Sequence, residues 1–232
     1  ALAEANPNLA VVIVSGNAVA MPWIDRVPAV LEAWFSGSEA GNALADVVFG
    51  AVNPSGKLPF TFPVRLEDNG AHALGEYPGS DKVKYNESIF VGYRWHDKEQ
   101  LKPLFAFGHG LSYTAFAVGN VKADRTTLAP NGSIRISADV TNTGDRAGAE
   151  VVQLYIGDEQ SSLPRPVKEL KGFQKVSLNP GQTRTVTFEI TSGMLQYYDD
   201  AKGAWVAEPG AFTAYVGAAS DDIRGTVEFE LK

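Results

Sequence analysis

The chain has 232 residues, enough for one or two domains, and its 44% hydrophobic and 20% charged content is typical of a folded protein. A net charge of -7 with scattered basic residues argues against a nucleic-acid partner. The longest apolar run, Leu9–Val14, is too short to cross a bilayer, so no membrane partner is predicted. The lack of cysteine excludes disulfides, and His72, His96 and His109 lack the spacing of metal ligands, so no metal or other cofactor is predicted.

The first half of the chain has the pattern of an α/β layer. Leu9–Ser15 is a continuous apolar run, which predicts a strand buried on both faces of a parallel sheet. Ala29–Phe35 fits either a helix or a strand, and its shortness between a proline and a glycine favours a strand. A helix is predicted over Ser38–Phe49, then a turn at Asn53–Gly56 and an extended segment, Lys57–Phe62.

This α/β layer is predicted to be incomplete. Ala1–Ala5 has the pattern of the last turns of a helix that ends before Asn6-Pro7. Two or three strands with one good helix are too few to cover both faces of a parallel sheet. We therefore expect residues of a longer protein to complete the layer, and we expect Leu9–Ser15 and its neighbours through Phe49 to expose an apolar surface.

From about Ala115 the pattern changes to short alternating runs separated by turn clusters, which divides the chain into domains 1–114 and 115–232. About seven strands without intervening helices predict an antiparallel β-sandwich of immunoglobulin or fibronectin type III type. The predicted strands are Phe116–Val121, Ile134–Val140, Glu150–Ile156, Val167–Leu178, Thr183–Ile190, Gly210–Val216 and Gly225–Leu231.

Many ordered segments match the pattern of one enzyme family. In the first half they are Ser15-Gly16, Met21-Pro22-Trp23, Ala33-Trp34, Gly37–Asp46, Phe49-Gly50, Asn53–Pro59, Tyr85-Asn86-Glu87, Val91–Arg94 and Phe107–Thr114. In the second half they are Asn142-Thr143-Gly144, Val152–Tyr155, Lys168–Phe173 and Leu178–Gly181. From about Asn6 to its end, the chain resembles the C-terminal portion of family 3 glycoside hydrolases of the β-glucosidase type.

The resemblance implies a three-part enzyme made of a TIM-like barrel, an α/β sandwich domain and a fibronectin type III-like domain. The implied fold of this chain is the end of a three-layer α/β domain followed by an all-β sandwich. Family members are retaining glycosidases, in which two carboxyl groups lie about 5 to 5.5 Å apart. The family nucleophile is an Asp in a Ser-Asp-Trp-type motif on the barrel, and this tripeptide is absent here.

The family's acid/base, a Glu in a Gly-Glu-type loop, is expected upstream of Ala1. Gly75-Glu76 precedes Tyr77-Pro78 and lies beyond the matching region, so the role is not carried onto it. No catalytic residue is therefore predicted in this chain.

Glu39 is the one candidate for substrate binding. It follows the predicted strand Ala29–Phe35, and open α/β sheets bind ligands at the carboxyl ends of their strands. The structural alternative is that Ser38 caps the next helix and Glu39 places a negative charge in its first turn.

Other residues allow both a functional and a structural interpretation. Glu87 could orient a sugar hydroxyl, or it could form an ion pair with Arg94. Trp23, Trp34 and Trp95 could stack on sugars, or they could pack in the core or between domains.

The leading hypothesis is the C-terminal portion of a retaining, exo-acting β-glucosidase-type hydrolase that supports the active-site cleft and is inactive alone. Its expected partners are a β-glucoside or related oligosaccharide and the N-terminal barrel portion of the same enzyme. Polysaccharide breakdown would favour a periplasmic or secreted protein, although a cytoplasmic one is equally compatible with zero cysteine.

Two alternatives stay open. The chain could be a noncatalytic carbohydrate-binding or scaffold module with an aromatic strip on the sandwich, formed by Tyr155, Tyr197, Tyr198 and Trp205. It could also be one half of a nicked enzyme, with Ala1 produced by processing.

Overall fold

The computed structural model describes residues 1–232, which form an α/β part followed by a β-sandwich. The α/β part contains strands β1 (Ala10–Ile13) and β2 (Ala29–Glu32) and helices α1 (Leu2–Ala5), α2 (Ala40–Val48), α3 (Gly70–Ala73) and α4 (Tyr93–Lys98). The sandwich contains β3 (Phe116–Ala123), β4 (Thr127–Leu128), β5 (Ser133–Asn142), β6 (Gly148–Asp158), β7 (Glu169–Leu178), β8 (Thr183–Thr191), β9 (Tyr197–Asp199), β10 (Ala204–Val206), β11 (Gly210–Gly217) and β12 (Ile223–Leu231). Short 3-10 helices lie at Ile24–Arg26, Leu66–Asp68 and Ser192–Leu195. None of the helices combines the length and the apolar character that a membrane crossing requires.

The first two strands form a parallel pair in which Ala10 lies opposite Ala29 and Ile13 opposite Glu32. Both strands are shorter than predicted, and β1 is not buried on both faces, because its residues alternate between exposed and half-buried. The helix after β2 is confirmed, although it begins at Ala40 rather than Ser38. One face of this pair therefore lacks a covering layer within the chain.

The α/β part exposes large apolar side chains, as the sequence predicts. Val14 is 68% exposed, Phe35 82% and Phe49 87%, and Val48 and Val52 are about half exposed. Only Met21, Phe62, Trp95 and Ala106 are buried hydrophobic residues before the sandwich begins. This part consequently has a small core and a surface that water hydrates poorly.

The sandwich has the main hydrophobic core of the molecule. Its larger sheet has the strand order β4-β12-β11-β6-β7 and its smaller sheet the order β3-β5-β8, while β9 and β10 form a separate hairpin. Alternate residues of β5 and β8 point inward, so that a cluster of 19 buried hydrophobic residues fills the space between the sheets. The predicted sandwich fold is confirmed, and this alternation is why the sequence revealed it.

Salt bridges with well-shielded charges connect the two parts. Lys57 Nζ lies 2.7 Å from Glu150 Oε1, and both side chains are about nine-tenths buried. Lys168 Nζ of the sandwich lies 2.6 Å from Asp97 Oδ2, at the end of α4. Breaking such a shielded pair leaves one uncompensated charge, so these contacts fix how the two parts meet.

Gln153 of β6 is the polar anchor of this junction and is only 3% exposed. Its Nε2 donates hydrogen bonds to the carbonyl oxygens of Ala218 at 2.6 Å and Gly108 at 3.2 Å, and its Oε1 accepts one from the Tyr155 hydroxyl. Gly108 has a φ of +81°, and a Cβ at this position would collide with the Gln153 amide. A glycine is required here both by the backbone and by the close approach of Gln153.

We predict that Gly108→Ala destabilises the chain more than Gly181→Ala does. Gly181 has a similar φ of +73° but open space around its missing Cβ. The Gly181 variant should therefore lose only about 1 kcal/mol of unfolding free energy, which is the cost of placing alanine in the left-handed region. Gly108→Ala should lose about 1–3 kcal/mol more of unfolding free energy, because the new Cβ collides with the Gln153 amide, which its hydrogen bonds hold in place.

Urea unfolding of the two variants and the parent chain measures this difference. Equal losses in the free energy of unfolding would show that Gln153 is not held rigidly at the junction.

Glu169 has a carboxylate that joins charges from both parts of the molecule. One oxygen lies 3.1 Å from Arg94 of α4, and the other lies 2.9 Å from Arg165 and 3.5 Å from Lys171. Burial opposes ionisation of Glu169, but the neighbouring cations outweigh it and hold the pKa of this carboxyl below its usual value. The carboxylate form therefore stabilises the junction.

We predict that Glu169→Gln lowers the free energy of unfolding by about 3 kcal/mol at neutral pH, because it leaves buried cations unpaired. Since the folded-state pKa is lowered, the stabilisation is fully present above the unfolded-state pKa of about 4.3 and is lost as pH falls through the folded-state value. Parent and variant stabilities should therefore converge in acid.

Urea unfolding at a series of pH values tests this convergence, with Glu230→Gln as control. Glu230 pairs with Lys232, and both side chains are at least half exposed. The control should lose less than about 1 kcal/mol. A gap between parent and Glu169→Gln that does not depend on pH would contradict the prediction.

Candidate functional site

The carboxyl ends of β1 and β2 form one edge of the α/β part, because parallel strands end at the same side of a sheet. Open α/β sheets bind ligands at this edge. Glu32, the last residue of β2, accepts a hydrogen bond from the Trp34 backbone N–H at 3.1 Å and a long one from Ser15 Oγ at 3.5 Å. The two strand ends are thus joined through one carboxylate.

Trp34 has an unusual backbone conformation at this edge. Its φ is +48°, in the left-handed region that bulky residues rarely adopt. The indole is held by edge-to-face contacts with Phe60 and Phe62, with ring centroids 5.2 and 6.2 Å away. Strained residues of this kind cost about 1–3 kcal/mol, and they occur preferentially at functional sites.

Glu39 lies in the loop that leads from this edge into α2, and it is exposed. It is the N-cap residue itself and makes no capping hydrogen bond, so the interpretation of Ser38 as the cap is wrong. One oxygen of Glu39 accepts a hydrogen bond from Asn42 Nδ2 at 2.7 Å. The carboxylate is accessible and partly oriented, which leaves it available to accept hydrogen bonds from a hydroxylated ligand.

The expected ion pair between Glu87 and Arg94 is wrong. Arg94 pairs across the junction with Glu169, while Glu87 is 9% exposed and its Oε2 has no protein partner. The reason is the direction of α4, whose Tyr93 hydroxyl also contacts the sandwich by accepting the Leu170 backbone N–H at 2.9 Å. Only the three-dimensional contact with β7 determines the partner of Arg94.

The tryptophans that were candidates for sugar stacking have packing roles in the chain itself. Trp34 packs on two phenylalanines, Trp95 is 6% exposed, and Trp23 is half-buried. Trp34 is the one of the three that lies at the strand edge.

The three histidines lie in different surroundings. His72 contacts the Tyr77 ring, His109 stacks on Phe105 at 5.2 Å, and His96 is 4% exposed on α4. Burial and the nearby Lys57 lower the pKa of His109, which favours the neutral imidazole. No group of three or more His, Cys, Asp or Glu side chains has an arrangement that could hold a metal ion.

The proposed aromatic strip on the sandwich does not form. Tyr155 is fully buried, and Tyr197 is half-buried beneath the Arg165 guanidinium. Only Tyr198 and Trp205 are exposed, as an edge-to-face pair with centroids 5.6 Å apart. Tyr197 and Tyr198 differ in burial within β9, as adjacent residues of a strand that point to opposite faces do.

Sequence reasoning missed Glu32 and the backbone of Trp34 as features of this edge. A carboxylate at the end of a predicted strand is a signal that could have identified Glu32. The left-handed conformation of Trp34 has no local sequence signal, because it results from packing against Phe60 and Phe62.

Two family descriptions match the chain. The Glycosyl hydrolase family 3 C-terminal domain matches residues 1–113, and the Fibronectin type III-like domain matches residues 150–220. A beta-glucosidase of Bacteroides ovatus is 54% identical over 99% of this chain, which spans 31% of that protein. Thermostable beta-glucosidase B of Acetivibrio thermocellus is 49% identical over 96% of the chain, which spans 29% of it.

Solved structures agree with the sequence comparison. The chain is similar to a beta-glucosidase from Kluyveromyces marxianus in complex with glucose, with a TM-score of 0.92 and 42% identity over 100% of this chain and 28% of that one. A beta-glucosidase from Bifidobacterium adolescentis gives a TM-score of 0.93 and 37% identity over 99% of this chain and 34% of that one. The chain spans about a third of the length of these proteins. On these matches and on its two-part fold, the chain belongs to glycoside hydrolase family 3 and corresponds to the C-terminal portion of its β-glucosidase-type members.

Proposed function

We propose that this chain is the C-terminal portion of a retaining, exo-acting β-glucosidase, in which it supports one side of the catalytic cleft. The observation that carries the proposal is the match along almost the whole chain to proteins named beta-glucosidases. Among the structural neighbours, the Kluyveromyces marxianus protein is described as a complex with glucose, which supports a glucoside as substrate.

The catalytic carboxyl groups belong to an N-terminal portion in this proposal. A retaining mechanism needs a carboxylate nucleophile and a carboxylic acid that later acts as base, about 5 to 5.5 Å apart. Within this chain, Glu32 holds the strand edge and Glu39 is assigned to substrate binding, so the proposal gives neither a catalytic role. The chain instead orients substrate and supports the domain that carries the chemistry.

Glu39 is the residue that we propose for substrate binding. It is exposed and follows the carboxyl end of β2, the side at which open α/β sheets generally bind ligands. A carboxylate accepts charge-assisted hydrogen bonds from sugar hydroxyls, which fixes the orientation of the ring.

The exposed apolar side chains of the α/β part are the proposed docking surface for the N-terminal portion. Phe35 and Phe49 each expose more than four-fifths of their surface, and Val14 exposes about two-thirds. Covering them removes apolar surface from water, which stabilises the docked state by roughly 25 cal/mol for each Å² buried.

We predict that the isolated chain does not hydrolyse an aryl β-glucoside, since neither catalytic carboxyl group is present. Mixing it with the N-terminal portion of the Bacteroides ovatus relative should give retaining hydrolysis. The measurement is release of the aryl leaving group, with product stereochemistry followed by NMR. Turnover by the isolated chain would contradict the proposal.

Two matched variants locate the docking surface in the same assay. Phe49→Asp, on the α/β part, should weaken reassembly at least tenfold, because it places a charge in a desolvated contact. Phe173→Asp changes an exposed phenylalanine of the sandwich and should have little effect. The reverse order of effects would place the docking surface on the sandwich.

We predict that Glu39→Gln in the reassembled enzyme raises KM about fivefold to tenfold, with a smaller effect on kcat, because it weakens a charge-assisted hydrogen bond. Glu67→Gln is the control, since Glu67 is also an exposed glutamate of the α/β part. Identical kinetics for the two variants would remove Glu39 from the substrate site.

A further inference from the structure

The loop Tyr77–Asn86, between α3 and α4, is the longest uninterrupted run of exposed residues in the chain. Its ends are joined, because Asn86 Nδ2 donates a hydrogen bond to Glu76 Oε1, and the next residue, Glu87, is buried. The segment is therefore a surface loop with a closed base and an open tip, as in an Ω-loop.

The main chain at the tip of this loop makes few contacts with the rest of the molecule. Residues 78–84 form no backbone–backbone hydrogen bond. The side chain of Val83 is 58% exposed and lies against Gly79 of the same loop. Local opening of such a segment costs little free energy, and exposed loop tips are the preferred sites of proteolytic cleavage.

Two lysines at the tip determine which kind of protease fits the loop. Lys82 and Lys84 are exposed and precede Val83 and Tyr85, so two peptide bonds of the tip follow a basic residue. Trypsin-like proteases have an acidic specificity pocket, which an exposed lysine side chain can enter.

Lys202 shows that exposure alone does not make a lysine a cleavage site. It is exposed in the turn between β9 and β10, but Asp199 Oδ1 accepts the backbone N–H groups of Ala201 at 3.0 Å and Lys202 at 3.2 Å. Lys202 Nζ also lies 2.9 Å from Asp199 Oδ2. The chain at Lys202 must break these bonds before it can extend into a protease, whereas the chain at Lys82 and Lys84 has no such bonds to break.

Contacts at the base of the loop hold the two sides of the chain together. The Phe62 N–H donates to the carbonyl oxygen of Phe105 at 2.8 Å, and the Leu104 N–H donates to that of Phe62 at 2.9 Å. The shielded ion pair of Lys57 with Glu150 also joins a residue before the loop to one after it. These contacts do not involve the loop itself.

Asn53 adds further hydrogen bonds between the two sides. Its Oδ1 accepts from Ser112 Oγ at 2.8 Å and from the Tyr113 N–H at 2.7 Å, and its Nδ2 donates to the carbonyl oxygen of Ala147 at 3.0 Å. The Tyr113 hydroxyl donates to the carbonyl oxygen of Val47 at 2.8 Å. A break in the main chain at the loop would leave all of these bonds in place.

We propose that the loop Tyr77–Asn86 is a site of limited proteolysis by an endoprotease that cleaves after lysine, and that the two pieces stay assembled after cleavage. Water hydrolyses the peptide bond after Lys82 or Lys84, which yields a carboxylate on the lysine and an amino group on the next residue. The piece before the cut remains bound to the piece after it through the contacts at the loop base. The proposal goes beyond the β-glucosidase function and does not require it.

Limited trypsin digestion of the full 232-residue chain under native conditions tests both halves of the proposal. Mass spectrometry should place the first cut after Lys82 or Lys84. In size-exclusion chromatography the cut protein should elute with the uncut chain and should separate into two pieces only in denaturant. A first cut elsewhere would overturn the proposal, as would separation of the pieces without denaturant.

Matched lysine variants test the assignment of the cleavage site. The double variant Lys82→Gln with Lys84→Gln should slow the first cut at least about tenfold, because the other lysines and arginines lie in helices, strands or segments held by hydrogen bonds. The control Lys202→Gln removes an exposed lysine from a held turn and should leave the rate unchanged. Equal rates for the double variant and the parent chain would overturn the assignment.

Hydrogen exchange on the parent chain provides a measurement that needs neither a protease nor a variant. The amides of residues 79–84 should exchange at rates near those of an unfolded chain, because none of them donates to a backbone carbonyl. Protection of these amides would overturn the proposal. None of these readouts involves glycoside hydrolysis, so their failure is distinguishable from failure of the proposed function.

Discussion

The hydrogen bonds of Gln153 are the constraint on which the arrangement of the two parts depends. From the face of β6 opposite the sandwich core, this side chain holds the carbonyl oxygen of Gly108 and thereby fixes the segment Phe105–Gly110 on the sandwich. Backbone hydrogen bonds connect this segment to Leu58 and Phe62, and the Phe62 ring contacts Trp34. A continuous set of contacts thus leads from the sandwich to the carboxyl edge of β2.

This arrangement explains how a small α/β part can present a defined edge. Few hydrophobic side chains are buried before residue 115, whereas the sandwich contains a cluster of 19. The ion pairs of Lys57 with Glu150, and of Lys168 with Asp97, add fixed contacts between the parts. Functional side chains are positioned best when rigid elements support them, and here the rigid element is the sandwich.

The sequence predicted the sandwich well because its signal is local. Alternation of apolar residues in segments such as Thr183–Thr191 directly reflects which side chains face the core. The hairpin of β9 and β10 was missed, because two three-residue strands are too short for a periodic pattern. At the candidate site, the order of the elements placed Glu39 near the strand edge, but the partner of Arg94 and the backbone of Trp34 depend on residues distant in sequence.

The strain at Trp34 shows how these distant contacts shape the candidate site. A left-handed tryptophan costs free energy, and the contacts of its indole with Phe60 and Phe62 help to offset that cost. Those rings are in turn fixed through Phe105, which lies in the segment that Gln153 anchors. Loosening the junction would therefore weaken the contacts that hold Trp34, and with them the hydrogen bond from its N–H to Glu32. The fibronectin type III-like sandwich thereby maintains the geometry of an edge that it does not itself form.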